Sequence, residues 1–263
     1  MSQNSSNVTL PTMRPRAWWV IAVIMPIWVY VSFLLAQLGV SGLLWVLGTL
    51  SVPLESVNKT VATTVLAALI YVVSLFIVIG VPWIALRVRT NRTELGLRSP
   101  PTPSDFLVAP AGAVAYFVLS FILVFVVTTF IPGFDAAQPQ DTGFNGLTEN
   151  YQFVLAFITL VILAPLAEET LFRGYLLGKL IKTVPVWLAI LITSLLFGFI
   201  HVGLSDHPAW NLGLDTFALS IILCILRLHT KSIWASILVH MTKNGIAFYL
   251  LFINPLLLHT LGG

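Results

Sequence analysis

The sequence predicts an all-α protein, a polytopic membrane helical bundle with about seven transmembrane helices. Of its 263 residues, 58% are hydrophobic and only 9% are charged, whereas a soluble domain carries roughly 25% charged residues. Apolar runs of about 20 residues, the length that crosses the hydrocarbon as a helix, recur along the chain. Lysine and arginine are distributed between these runs in a regular way, which supports the same fold class.

Seven apolar runs are candidate membrane spans. The first follows a polar tail and is longer than the apolar stretch of about 7–15 residues in a signal peptide, so it is interpreted as an uncleaved span. Residues 41–50 are apolar but too short to cross, and they either lie in the interface or extend the first helix. The expected spans are 17–39, 61–86, 107–131, 152–178, 185–203, 209–228 and 232–253.

The distribution of positive charge predicts the orientation. With a cytoplasmic N-terminus, every inside segment before the last helix carries lysine or arginine, and the outside segments carry only Lys59. This is the bias of the positive-inside rule, and seven spans then put the C-terminus outside. The inside residues are Arg14, Arg16, Arg87, Arg89, Arg92, Arg98, Lys179, Lys182, Arg227 and Lys231.

Composition also excludes some classes of function. No basic stripe with interleaved aromatic residues is present, so no nucleic-acid partner is expected. Cys224 is the only cysteine, which rules out an intrachain disulfide and a zinc site built from cysteines. The expected surroundings are a lipid bilayer, with the chain as a multi-pass protein of the cell membrane.

Ionisable residues inside the spans are the strongest functional signal. Each costs at least about 2.5–3.5 kcal/mol in the hydrocarbon, so it is by default a functional candidate. The first three spans contain no charged residue, whereas the fourth contains residues 167–174 (AEETLFRG), the fifth residues 197–201 (FGFIH) and the seventh residues 240–244 (HMTKN). This contrast points to a buried polar site in the second half of the chain.

Helix geometry separates the two glutamates. Glu169 and Arg173 are four residues apart and share a face, in the favourable order for an ion pair. Glu168 points about 100° away and has no such cation, because successive residues are that far apart around a helix. We therefore interpret Glu169 and Arg173 as a mainly structural pair and Glu168 as free to act.

The fifth and seventh spans supply the other side chains. His240 and Asn244 share a helix face, as do Phe197 and His201, with Phe197 expected to pack beside the site. At 1.5 Å per residue, Glu168, His201, His240 and Asn244 lie roughly 14–22 Å from the expected cytoplasmic ends of their helices. They are therefore expected to line one cavity that opens to the cytoplasmic side or into the bilayer.

Such a group of side chains is suited to hydrolysis. A carboxylate beside a histidine in a poorly solvated cavity takes a proton from water and delivers it to a leaving amine. A histidine and an asparagine amide can donate to the oxyanion. No serine or cysteine stands in a nucleophile motif, which favours activated water over a covalent intermediate.

Three motifs occur in order along the chain: Glu168-Glu169-x-x-x-Arg173, Phe197-x-x-x-His201 and His240-x-x-x-Asn244. This set resembles the motifs of the CAAX-prenyl endopeptidase and bacteriocin-processing family (the Abi, or CPBP, family of intramembrane proteases). The resemblance covers about residues 150–250. It implies an intramembrane endopeptidase whose substrates are peptides or proteins, including lipidated ones, with roles in CAAX-type processing, peptide processing or bacteriocin immunity.

The resemblance also implies individual roles. Glu168 would activate water together with His201, and His240 and Asn244 would form the oxyanion site. Two departures from the family pattern concern neighbouring residues. Ser220 and Cys224 stand where glycines are usual, although both are small. Lys243 is unusual beside Asn244, and it is expected to reach the membrane surface, to pair with Glu169 or to favour the charged form of Glu168. Asp215 is expected to lie in the interface.

Other functions compete with this interpretation. No cofactor is expected, but Glu168, His201 and His240 are three candidate zinc ligands for a metal-dependent intramembrane protease, although the compact H-E-x-x-H motif is absent. A transporter uses similar buried charges, yet no repeat with interrupted helices is visible. A non-catalytic membrane scaffold is the third alternative.

The domain organisation follows from these observations. Residues 1–16 form a polar tail and 17–149 hold three membrane helices without motifs. Residues 150–254 form the expected catalytic core, and 255–263 are an uncharged tail.

Overall fold

Seven helices account for most of the chain in the computed structural model, which describes residues 18–53, 56–139, 141–203 and 207–257. No strand occurs among these residues. The polar tail 1–16 and most of the tail 255–263 lie outside the described residues. The helices are α1 (Trp18–Thr49), α2 (Lys59–Leu86), α3 (Pro103–Phe130), α4 (Asn150–Leu180), α5 (Val186–Val202), α6 (Trp210–Thr230) and α7 (Trp234–Ile253).

The seven expected spans each correspond to one helix, which confirms the all-helical fold class. Six helices are long and apolar enough to cross a membrane, and α5 is apolar but shorter, with 17 residues. Residues 41–49 extend α1, which has 32 residues. At 1.5 Å per residue α1 is about 48 Å long, so it tilts or projects beyond a hydrocarbon layer of about 30 Å. The chain is a multi-pass membrane protein.

The core of the bundle lies around α4 and α6. In the most apolar 18-residue stretch of each helix, 44% of the residues of α4 and 50% of those of α6 are buried within the protein. The corresponding share is only 6–17% for α1, α2 and α3. The exposed faces of these three helices are apolar, as the bilayer requires. The first polar motif, on α4, therefore belongs to the most enclosed part of the bundle.

Helix α5 packs closely against α6 because glycines face each other. A Cβ atom on Gly213 would lie 2.4 Å from Cγ2 of Val202, and one on Gly198 would lie 2.7 Å from the Gly213 carbonyl oxygen. Only glycine fits at such distances, as is common where membrane helices approach closely. This contact fixes the last turn of α5, which carries His201.

The segment 88–101, between α2 and α3, packs under the ends of three helices. Leu95 is buried and touches Gly174 of α4. The Ile233 amide, just before α7, donates to the Gly96 carbonyl, and Arg227 of α6 donates to the Glu94 carbonyl. The basic segment 88–101 thus holds α4, α6 and the start of α7 together, and we call this arrangement the clasp.

Candidate active site

Glu168 lies at the centre of the site. Its Oε2 atom is 3.8 Å from Nε2 of His201 and 3.9 Å from Nε2 of His240. The Glu168 side chain is 13% exposed and those of His201 and His240 are 22% and 4% exposed. Helices α4, α5 and α7 thus bring together three of the four residues that the sequence assigns to catalysis.

The second nitrogen of each imidazole ring is held by an acceptor. His201 Nδ1 lies 2.7 Å from the carbonyl oxygen of Phe197, one turn earlier in α5. His240 Nδ1 lies 2.8 Å from Oε1 of Glu169. A carbonyl oxygen accepts and does not donate, so Nδ1 of His201 carries the proton, and an ionised Glu169 requires the same of His240. Both rings therefore turn Nε2 toward Glu168.

Glu169 and Arg173 form the expected pair, and Glu169 has a second partner that was not expected. Arg173 Nη1 lies 3.0 Å from Glu169 Oε1, and both side chains are fully buried. The same Oε1 atom accepts from His240. Glu169 thereby joins the buried cation to a ring of the site and does more than balance the charge of Arg173.

Phe197 packs against the site as expected. Its ring centroid lies 4.3 Å from Arg173 Cζ, 4.6 Å from the His201 ring and 5.9 Å from the His240 ring. The edge-on contact with Phe172 at 4.9 Å completes its surroundings. A cation over an aromatic face is stabilised by the ring quadrupole, so Phe197 holds Arg173 as well as both imidazoles.

Asn244 is anchored by an interruption in α4. Residues Ile158–Leu163 form a π-helical stretch, in which the Ala164 amide donates to the Thr159 carbonyl five residues earlier. The next hydrogen bond of this five-residue pattern would run from the backbone N–H of residue 165 to the Leu160 carbonyl. Residue 165 is a proline and has no N–H to donate. The Leu160 carbonyl instead accepts from Asn244 Nδ2 at 2.9 Å. One amide hydrogen of Asn244 is thus engaged, and the second is left for another acceptor.

Lys243 does not pair with Glu169, contrary to one sequence-based expectation. Its Nζ atom lies 3.2 Å from Oδ2 of Asp215. Oδ1 of Asp215 accepts from the hydroxyls of Tyr116 at 2.6 Å and Ser120 at 2.9 Å. Asp215 is therefore the centre of a polar cluster among α3, α6 and α7. The pairing compensates the lysine charge beside the third motif.

The small residues of α6 keep their expected role. Ser220 and Cys224 are both fully buried. Side chains of this size let α6 approach its neighbours closely, so the absence of glycine at these positions is compatible with the packing.

Sequence reasoning missed Tyr71 of α2. Its hydroxyl donates to Oε1 of Glu168 at 2.7 Å. Tyr71 belongs to no recognisable motif in the sequence, so only the packing of α2 against α4 reveals the contact.

A cavity of about 200 Å³ lies beside Glu168. A second one, of about 150 Å³, shares three lining residues with it and continues between α1 and α5 to the half-exposed Phe199. Together the two cavities extend from the carboxylate to the lateral surface of the bundle between α1 and α5. A larger apolar cleft of about 620 Å³ between α3, α5 and α6 has no titratable lining residue, so it is not the chemical site. The first cavity is lined by Val29, Tyr30, Phe33, Tyr71, Glu168, Leu171, Phe172, Ile200 and His201.

Comparison with known proteins identifies a family that is similar to the part of the chain containing this site. Residues 150–246 match the family described as type II CAAX prenyl endopeptidase, Rce1-like. The resemblance to CAAX endopeptidases is confirmed. This endopeptidase-like segment begins with α4 and contains all three motifs, and Tyr71 lies outside it.

Two relatives are similar to part of this chain. An "Uncharacterized 24.3 kDa protein" of Escherichia coli is 35% identical over 99 residues, 36% of this chain and 44% of the relative. The "Putative membrane peptidase YdiL" of Bacillus subtilis is 32% identical over 110 residues, 39% of this chain and 43% of the relative. The chain thus spans under half the length of these curated relatives. No solved structure matches it significantly.

The three candidate zinc ligands do not form a ready metal site. Two ligands at about 2.0–2.2 Å from a tetrahedral zinc ion lie roughly 3.3–3.6 Å apart, less than the 3.8 and 3.9 Å separations of Glu168 Oε2 from the two histidines. Within the described part of the chain, no group of His, Cys, Asp and Glu is arranged to hold a metal ion. The donor types suit zinc, and the two separations in this structure are slightly wider than a bound ion would have.

Proposed function

We propose that the protein is an intramembrane endopeptidase of the cell membrane that hydrolyses peptide bonds with water activated by Glu168 and His201. The observation that carries this proposal is the convergence of two imidazole Nε2 atoms on one carboxylate oxygen. Separations of 3.8–3.9 Å are too long for a direct hydrogen bond, so Oε2 is left free to take a proton from water. The match to endopeptidases over residues 150–246 supports peptide or protein substrates.

The first chemical step begins with a water molecule between Glu168 and His201. Glu168 removes a proton from this water while the water oxygen bonds to the carbonyl carbon of the scissile peptide. The carbonyl π electrons move to its oxygen, which becomes the oxyanion of a tetrahedral intermediate. His201 accepts through Nε2 and orients the water, because its Nδ1 is already bonded to Phe197.

The oxyanion is stabilised by His240 and Asn244 in this mechanism. Nδ1 of His240 is held by Glu169, which directs Nε2 into the site, and a proton on Nε2 would donate to the oxyanion. Asn244 contributes its second amide hydrogen. Fixed donors in a poorly solvated site stabilise developing charge without having to reorient.

Collapse of the intermediate completes hydrolysis. The carbon–nitrogen bond breaks, and the protonated Glu168 gives its proton to the leaving amine. The products are a new carboxyl terminus and a new amino terminus, and Glu168 returns to its charged form. The apolar and aromatic lining of the cavity favours uncharged side chains next to the scissile bond.

A comparison of membranes containing wild-type protein or Glu168→Gln tests the proposal. The substitution keeps the size of the side chain and removes the base, so activity should fall by roughly 10² or more while folding is retained. We expect a substrate protein to accumulate in the variant membranes and its fragments to disappear. Identical membrane proteomes and equal turnover of isolated substrates would contradict the proposal and favour a scaffold.

The zinc-dependent mechanism is the alternative that one observation favours. Both histidines have Nδ1 bonded to an acceptor, as metal-binding histidines usually do. Their Nε2 atoms are directed at the same carboxylate oxygen. Metal analysis of purified protein and incubation with a chelator distinguish the two mechanisms. Activity that is lost with the chelator and restored by zinc would replace the metal-free mechanism.

A further inference from the structure

Helix α2 contributes a side chain to the candidate active site from outside the endopeptidase-like segment. Tyr71 lies on α2, whereas the matched segment begins at residue 150. Its hydroxyl donates to Oε1 of Glu168 at 2.7 Å and its ring lines the cavity beside that carboxylate. The contact joins residues 97 positions apart in the chain.

The two oxygen atoms of Glu168 have different surroundings. Oε1 accepts from Tyr71, whereas Oε2 faces the Nε2 atoms of His201 and His240. Rotation about the last torsion of a glutamate side chain is soft and roughly two-fold. A donor on one oxygen therefore decides which way the other oxygen points.

We propose that Tyr71 is a positioning residue that holds Oε1 so that Oε2 is the oxygen that takes the proton from water. The inference rests on the proposed function of Glu168. Among the described residues, Tyr71 is the only group within hydrogen-bond distance of this carboxylate, since the histidines stand nearly 4 Å away. Without it, Glu168 would rotate or swing toward the imidazoles.

The expected effect of Tyr71→Phe follows from this role. The ring, its packing and the shape of the cavity are kept, and only the hydroxyl is lost. Misplacement of a reacting group by about 1 Å costs up to about 10²-fold in rate. We therefore expect kcat to fall by roughly 10- to 100-fold with KM changed less than about two-fold, because the substrate still binds the same cavity.

A matched control separates positioning from helix packing. Thr64 lies on the same helix, two turns from Tyr71, and the Thr159 hydroxyl of α4 donates to it at 3.3 Å. Thr64→Val removes a hydrogen bond between the same two helices without touching Glu168. A hydroxyl that only holds α2 to α4 would show equal effects in both variants, whereas positioning predicts a loss of kcat in Tyr71→Phe alone.

The experiment compares wild type, Glu168→Gln, Tyr71→Phe and Thr64→Val in liposomes of phosphatidylcholine and phosphatidylglycerol. The probe is a library of internally quenched peptides with apolar centres, with rates normalised to folded protein by size-exclusion chromatography and melting curves. Tyr71→Phe with a lowered kcat, an unchanged KM and a wild-type melting temperature supports the inference. Full turnover in Tyr71→Phe beside an inactive Glu168→Gln overturns it and leaves the proposed function standing. A wild type indistinguishable from Glu168→Gln across the library overturns the proposed function and this inference with it.

Discussion

Oε1 of Glu169 lies 2.8 Å from Nδ1 of His240 and 3.0 Å from Nη1 of Arg173. One fully buried oxygen atom thus links a permanent cation to a ring of the candidate active site. The three groups belong to α4 and α7, so the ion pair also connects the first motif to the third. Effects of substitutions here combine stability and chemistry, and the first prediction separates them.

Replacing Glu169 with glutamine should mainly lower stability. Arg173 would lose its compensating charge in a buried site, and breaking such a pair costs about 3–5 kcal/mol. His240 would also lose its charged acceptor, so the activity per folded molecule should decrease but not vanish, because Glu168 and His201 are untouched. Melting curves and normalised rates for Glu169→Gln and Glu168→Gln provide the measurement. A stable, inactive Glu169→Gln beside an active Glu168→Gln would mean that the two roles are reversed.

Replacing Pro165 with alanine should release Asn244. Alanine supplies the N–H that proline lacks, and this donor competes with Asn244 for the Leu160 carbonyl. The rate should fall by about tenfold through loss of an oriented oxyanion donor, while the melting temperature stays equal or rises. Pro110→Ala is the control, because Pro110 lies inside α3 away from the site. Equal rates in both variants would show that this anchoring of Asn244 is unimportant.

Removing only one charge of the pair between Lys243 and Asp215 should destabilise the protein more than removing both charges. Asp215→Asn leaves a lysine uncompensated in the membrane half, which costs up to about 3–5 kcal/mol. The double variant Asp215→Asn/Lys243→Met removes both charges and should regain much of the lost stability. Thermal unfolding in detergent of the two single variants and the double variant gives the coupling energy. Additive losses would show that the two charges do not interact.

The orientation of the bundle is a separate prediction. The positive-inside bias predicts a cytoplasmic N-terminus and an outside C-terminus. Single cysteines placed in each loop of a Cys224→Ser background should react with a membrane-impermeant reagent only in the loops after α1, α3 and α5 and at the C-terminus. Labelling of the 88–101 segment from outside the cell would show that the topology is the reverse of the predicted one.

Acid should weaken the clasp formed by the 88–101 segment. Glu94 pairs with Lys179 and Lys182, and the hydrogen bond from Lys182, which outweighs partial burial, lowers the pKa of Glu94 below its ordinary value of 4.5. Its small contribution to stability is present above that ordinary value and is lost as pH falls through the lowered one. Wild type should therefore melt above Glu94→Gln at about pH 6, and this difference should shrink as the pH falls below 4.5. A difference that persists in acid would locate the effect elsewhere.

The sequence predicts the helices and the convergence of three motifs because both depend on local patterns. Apolar runs of membrane length and side chains four residues apart identify α4, α5 and α7 and the faces that carry Glu168, His201 and His240. Contacts between helices without such a pattern could not be anticipated. Tyr71 meets Glu168 only because α2 packs beside α4, and Lys243 meets Asp215 only because α6 and α7 are neighbours. The partner of Asn244 depends on a π-helical register that an α-helical periodicity does not reveal.

The shortness of α5 has a consequence for the supply of the second substrate, water. Its 17 residues span about 26 Å, less than a hydrocarbon layer of about 30 Å, and His201 lies one residue before its end. A bilayer meets such a helix by thinning around it. The hydrated headgroups are thereby drawn toward the ring that faces Glu168. Membrane thickness then becomes a determinant of hydration at the carboxylate. A thicker bilayer of longer acyl chains would lower the access of water to Glu168 without altering a single side chain.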